Sequence, residues 1–136
     1  MIDINSRKLI IAMIYLGVIG VCVFILQPGF VQGLVAYVGF DEQQAGLIAS
    51  YEMFGMATTT VLLCFISNRV DWQKVLFGCL IVSAIGNLAS IGQTDFLMLS
   101  LTRFMVGLGS GGLVSLTFTM AGLTSNPDRN FGLIVV

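Results

Sequence analysis

Four long stretches of this chain are almost free of charge, and each is long enough to cross a lipid bilayer as a helix. A hydrocarbon core of ~30 Å needs about 20 apolar residues, because a helix rises ~1.5 Å per residue. The stretches cover residues 8–38, 45–66, 75–91 and 96–123, and a fifth helix is expected to start at 127. Charged types make up only 10% of the 136 residues and hydrophobic types 57%. A soluble domain usually carries about 25% charged residues, so this chain lacks the polar surface for one. The expected fold is an all-α polytopic transmembrane helix bundle, with the lipid bilayer as its first partner.

The first stretch opens after Arg7 and Lys8. Basic residues before an apolar run also describe a signal peptide, but this run is too long, lacks a small-residue cleavage site and is followed by further spans. As a continuous helix it would rise ~46 Å, more than the membrane requires, so it tilts, bends at Pro28 or projects beyond the bilayer. A bend at Pro28 would serve gating or steer the chain around its neighbours. Asp41 suits the cap of the second helix. Asn126-Pro127-Asp128 reads as the start of the fifth, with Asn126 capping.

The basic residues set the orientation. Arg7 and Lys8 precede the first span, Arg69 and Lys74 lie between the second and third, and Arg129 follows the fourth. The opposite connections hold Asp41, Glu42 and Asp95, with no Lys or Arg. This positive-inside pattern predicts a cytoplasmic N-terminus in a plasma or bacterial inner membrane, with Trp72 as an interfacial anchor. All connections are short, so successive helices are expected to be antiparallel neighbours.

Two ionisable residues lie inside spans. Glu52 and Arg103 each fall about seven positions below the outer end of their runs, ~10 Å beneath the interface. An isolated charge at the centre of a membrane helix costs about 2.5–3.5 kcal/mol, which an opposite charge at matching depth can offset. The sequence therefore predicts a Glu52–Arg103 pair, either on a substrate or proton pathway or purely structural, with a protonated Glu52 as a further alternative. Gln27 falls in the same outer tier and is expected to join them in a polar layer. Ser100, Arg103, Gly107, Ser110, Val114 and Thr117 share one helical face. Asn87 reads as an interhelical hydrogen-bonding residue.

The run from Gly107 to Gly112 satisfies G-x-G-x-x-G, but it lies inside a long apolar helix rather than after a strand, which argues against a dinucleotide site. Gly107 and Gly111 form a G-x-x-x-G spacing that lets helices pack closely, and Gly46–Ser50 and Gly86–Ser90 repeat the small-xxx-small pattern. Cys22, Cys64 and Cys79 show no paired spacing and read as buried free thiols. No histidine, phosphate loop or nucleophile arrangement supports an enzyme, and no cofactor or metal is expected. A net charge of −1 gives no nucleic-acid footprint.

Several motifs resemble the major facilitator superfamily of transporters. The run Leu101-Thr102-Arg103-Phe104 through Gly107-Leu108-Gly109-Ser110-Gly111-Gly112 is similar to that family's fourth helix, an intramembrane Arg followed by glycines. The loop from Cys64 through Asn68-Arg69-Val70-Asp71 to Lys74 resembles its cytoplasmic signature G-x-x-x-D-R-x-G-R-R/K. The first Gly of that signature is Cys64 here, its Asp is Asn68 and its second Gly is Asp71. Asn126-Pro127-Asp128-Arg129-Asn130-Phe131-Gly132 resembles the family's opening of helix five, and Gln44 to Ser50 its start of helix two. The resemblance implies the N-terminal portion of a larger helical fold, with the remainder of the transporter as its partner. It implies a secondary transporter of a small-molecule substrate working by alternating access, with or without proton coupling. Arg69, Asp71 and Lys74 would form a cytoplasmic gating loop, with Asp71 the acid available in place of the usual one. Arg103 would line a cavity, and helices two and four would lie side by side. The competing reading is a small multi-span scaffold or assembly protein held by a structural Glu52–Arg103 pair. Ending about two turns into a helix argues against that alternative.

Overall fold

The apolar runs fold into helices whose first turns are capped by the polar residues between them. The computed structural model describes residues 6–66 and 70–135, with the Lys8 side chain outside that description. The helices are α1 (Arg7–Gly33), α2 (Glu42–Ile66), α3 (Trp72–Ala89), α4 (Phe96–Gly122) and α5 (Pro127–Val135). Four helices among the described residues are long and apolar enough to span a membrane.

Ser6 Oγ accepts from Leu9 N at the start of α1. Asp41 Oδ1 accepts from Gln44 N at 2.7 Å, while Gln44 Oε1 accepts from Asp41 N at 3.3 Å, a reciprocal capping box. Asp71 and Asp95 cap α3 and α4 by accepting from Gln73 N and Met98 N. These caps move two boundaries. The second and third helices begin at residues 42 and 72, three positions before the apolar runs suggest, because a cap rather than the first apolar residue fixes a helix start. Trp72 is the first residue of α3. At the other end, α3 stops at Ala89 and the chain turns through Gly92 at φ +76°, a conformation that favours glycine. Asn126 engages α5 through its carbonyl, which accepts from Asn130 N at 3.2 Å.

Pro28 lies inside α1 without ending it. After Gly33 the helix widens into a π-helical turn, Leu34–Val38, and closes on Gly39 at φ +88°. There the Gly39 and Phe40 amides both donate to the Leu34 carbonyl.

Two apolar clusters close the ends of the bundle. Leu34, Phe40, Ala45, Ile48 and Leu99 pack at one end, where the rings of Phe40 and Phe96 meet edge to face at 6.4 Å. Met13, Ala121 and Ile134 pack at the other, with Phe118 and Phe131 edge to face at 5.8 Å. Successive helices run antiparallel, but α2 and α3 are not the neighbours the short loop suggests, because both pack on the central helix α4.

The closeness of the helices comes from glycine. A Cβ on Gly107 would fall on the Glu52 carbonyl, and one on Gly111 would meet the Met56 backbone at 2.5 Å. From the other side, a Cβ on Gly55 would fall on the Phe104 carbonyl. Gly107 and Gly111 therefore set the α2–α4 contact, as their spacing predicts. Gly46 does not take part: nothing lies within 4 Å of its Cβ position, and Ser50 is exposed, so Gly55 is the packing glycine of α2. Gly109 sits against Cys79 O and Ser83 N, and Gly86 against Val106, which draws α3 onto α4 in the same way.

Candidate functional site

Glu52 and Arg103, predicted to pair, do meet in the interior. Glu52 lies about ten residues into α2, ~15 Å below its start, deeper than the apolar boundary suggests. Arg103 sits about seven residues into α4, ~10 Å down, and its long side chain covers the difference in depth. Both are buried, at 1% and 8% exposure. Arg103 Nη2 donates to Glu52 Oε1 at 2.5 Å and Nε donates to Oε2 at 3.2 Å. This two-pronged contact matches the planar guanidinium to the carboxylate, so each buried charge is offset by the other.

Asn87 of α3 adds a third contact. Its Oδ1 accepts from Arg103 Nη1 at 3.1 Å, and its Nδ2 donates to the Ser83 carbonyl at 2.9 Å. The interhelical role expected of Asn87 is therefore played on the arginine itself. Next to it, the Ser83 and Ser110 hydroxyls lie 3.5 Å apart, and Ser110 Oγ donates to Val106 O. From α1, the Phe30 ring centroid lies 4.7 Å from Arg103 Cζ, a cation–π contact.

Gln27 stands in the same layer. Its Nε2 donates to the Ala49 carbonyl of α2 at 3.1 Å, and it touches neither charge directly by hydrogen bond. Its Oε1 is buried with no hydrogen-bond partner among the described residues. Gln27, Glu52, Asn87 and Arg103 together wall a cavity of about 300 Å³, completed on the apolar side by residues such as Leu26, Phe30 and Leu113. Each of the four spanning helices supplies part of the wall.

The other predicted positions lie elsewhere. Asp71 caps α3, and Lys74 Nζ lies 3.5 Å from Asp71 Oδ2 in an exposed pair, a kind that contributes little. Arg69 lies outside the described residues. Gly107 and Gly111 hold α2 against α4, and Gly107 touches Glu52 through the backbone. Cys22 and Cys79 are half-buried, whereas Cys64 is exposed on the bundle surface rather than buried as its apolar surroundings suggest. In a membrane protein such a residue faces lipid as readily as protein.

Phe30, Ser83 and Ser110 were not singled out by sequence as partners of this cluster. Phe30 looks like any other aromatic residue in an apolar run. Ser110 is the exception in that it shares the polar face of α4 with Arg103.

No curated protein and no solved structure matches the chain. A family model described as Major Facilitator Superfamily matches residues 6–136. Together with four membrane-length apolar helices, this match places the chain in the Major Facilitator Superfamily, a family of membrane transporters.

Proposed function

We propose that this chain moves a small solute by alternating access, along a path through the cavity walled by Gln27, Glu52, Asn87 and Arg103. The observation that carries the reading is the Glu52–Arg103 pair, held in an apolar bundle and lining a cavity large enough for a small molecule. Ionisable residues are kept inside a membrane at a cost, and they mark solute and proton pathways. The unpaired Gln27 Oε1 supports the same reading, since it leaves an acceptor for a donor that arrives with solute. Alternating access needs a second helical bundle opposite the cavity, in further polypeptide or in another subunit.

Proton coupling fits the same residues. A proton on Glu52 removes the charge that Arg103 Nε and Nη2 engage, leaving the guanidinium to Asn87 and to an anionic or polar solute. The proposed orientation has the N-terminus in the cytoplasm, because Arg7, Lys74 and Arg129 mark the same end of the antiparallel bundle.

The test is uptake and efflux profiling of the full-length gene product in membrane vesicles, comparing wild type with Arg103→Ala. Loss of transport with normal membrane insertion supports the reading. A Glu52→Gln, Arg103→Gln double variant with full activity would reduce the pair to a structural one.

A further inference from the structure

A second opening, of about 440 Å³, lies at the end of the bundle where α1 and α5 begin. Two arginines stand at it: Arg7, the first residue of α1, and Arg129, in the first turn of α5. Both are exposed, and neither guanidinium has an ion-pair or hydrogen-bond partner among the described residues. Asp128, adjacent to Arg129 in the chain, pairs with neither of them.

The site of Arg129 is fixed rather than free. Buried Asn130 donates through Nδ2 to Thr124 Oγ1 at 2.8 Å, and Thr124 Oγ1 donates to Ala121 O at 2.6 Å. These contacts tie the first turn of α5 to the end of α4. Below the arginines the opening is apolar, walled by Ile10, Ile11 and Ile14 of α1 and Leu133 of α5. Ile11 and Leu133 are about half exposed.

The cleft is therefore bipartite, with two positive charges at its mouth and hydrocarbon walls running toward the membrane interior. A soluble anion would use only the mouth, and a neutral lipid only the walls. An anionic phospholipid uses both, since guanidinium groups grip phosphate oxygens in pairs and basic clefts between membrane helices recognise anionic headgroups. We propose that this cleft binds an anionic phospholipid, its phosphodiester between Arg7 and Arg129 and one acyl chain along Ile10, Ile11, Ile14 and Leu133.

The test is native mass spectrometry of the full-length protein, delipidated in neutral detergent and titrated with phosphatidylglycerol or phosphatidylcholine of the same chain length. Phosphatidylglycerol is expected to bind more tightly by about fivefold per arginine, the effect of one basic residue near an anionic surface. Arg7→Gln with Arg129→Gln is expected to bring the two lipids to parity. Ile11→Trp keeps both charges but fills the apolar wall, and is expected to weaken phosphatidylglycerol binding on its own. It decides the matter if the double variant fails to insert. Equal affinity for the two lipids in wild type overturns the proposal, as does an unchanged phosphatidylglycerol affinity in Ile11→Trp. Displacement of the lipid by glycerol 3-phosphate at equal concentration also overturns it, because the site would then be one for soluble anions.

Discussion

Gly107 of α4 packs directly on the backbone carbonyl of Glu52, so a backbone contact between α2 and α4 and the buried ion pair share a residue. A methyl group at Gly107 pushes α2 away at the level where Arg103 reaches for the carboxylate. Overpacking of this kind typically costs about 1–3 kcal/mol. Gly107→Ala is expected to lower the detergent melting temperature clearly. Gly46→Ala, where the Cβ meets open space, is expected to leave it unchanged or slightly raised. Thermal unfolding of the two purified variants decides the comparison.

Removing one charge is expected to be worse than removing both. Glu52→Ala strands Arg103 in the interior, and breaking a buried pair in this way costs about 3–5 kcal/mol. The Glu52→Gln, Arg103→Gln variant replaces the pair by two neutral amides, so no charge is left stranded. Yield of folded protein in the membrane should fall in the order wild type, double variant, single variant. A double variant less stable than Glu52→Ala contradicts this account.

Asn87 and Phe30 hold the guanidinium from its remaining sides. Asn87→Leu removes a hydrogen bond to a charged group, worth about 1.5–3 kcal/mol. Phe30→Leu removes the ring contact, worth about 0.5–2 kcal/mol. Phe30→Tyr keeps a π face and is expected to retain wild-type stability. Equilibrium unfolding of the three variants distinguishes a cation–π contact from simple filling of space.

Cys79 and Gly112 form a second pair that can be tested by coupling. A Cβ on Gly112 would fall on Cys79 Sγ. Gly112→Ala is expected to destabilise alone, and Cys79→Ala to recover most of the loss. Residues in direct contact show interaction energies of about 0.5–3 kcal/mol in such cycles. Strict additivity of the two single effects would mean that the helices yield elsewhere.

The orientation is open to a labelling experiment. With the native cysteines replaced, a single cysteine at Gln93 should react with a membrane-impermeant maleimide added outside intact cells. One at Gln73 should react only after permeabilisation. The reverse pattern places the N-terminus outside.

The sequence made the ion pair legible because Glu52 and Arg103 are the charges left inside spans once orientation has claimed the others. Each has a single partner of opposite sign at comparable depth. Asn87 was readable only as a polar residue needing some partner, since an amide does not declare which helix it addresses. Phe30 carried no signal, because its contact with Arg103 depends on the rotation of α1 and not on its neighbours in the chain. The glycine spacing named the face of α4 that packs, but not what it packs on. Gly55 and Thr59 share the small-xxx-small spacing of Gly46 and Ser50, and only the backbone it touches marks Gly55 as the packing glycine. The starts of α2 and α3 differ for a simpler reason, as capping extends a helix into polar residues that a hydropathy reading assigns to loops.

The glycine contacts also decide where the bundle is mechanically compliant. α2, α3 and α4 meet backbone to backbone at Gly55, Gly107, Gly109 and Gly111, and a backbone has no rotamer to turn. α1 instead meets its neighbours through the side chains of Val114, Thr117 and Ile134, which face Gly17 and Gly20. Compliance is therefore concentrated along α1. Widening the space beside Arg103 costs the Phe30 ring contact and the Gln27–Ala49 hydrogen bond, while both partners of the ion pair ride together on the stiff side.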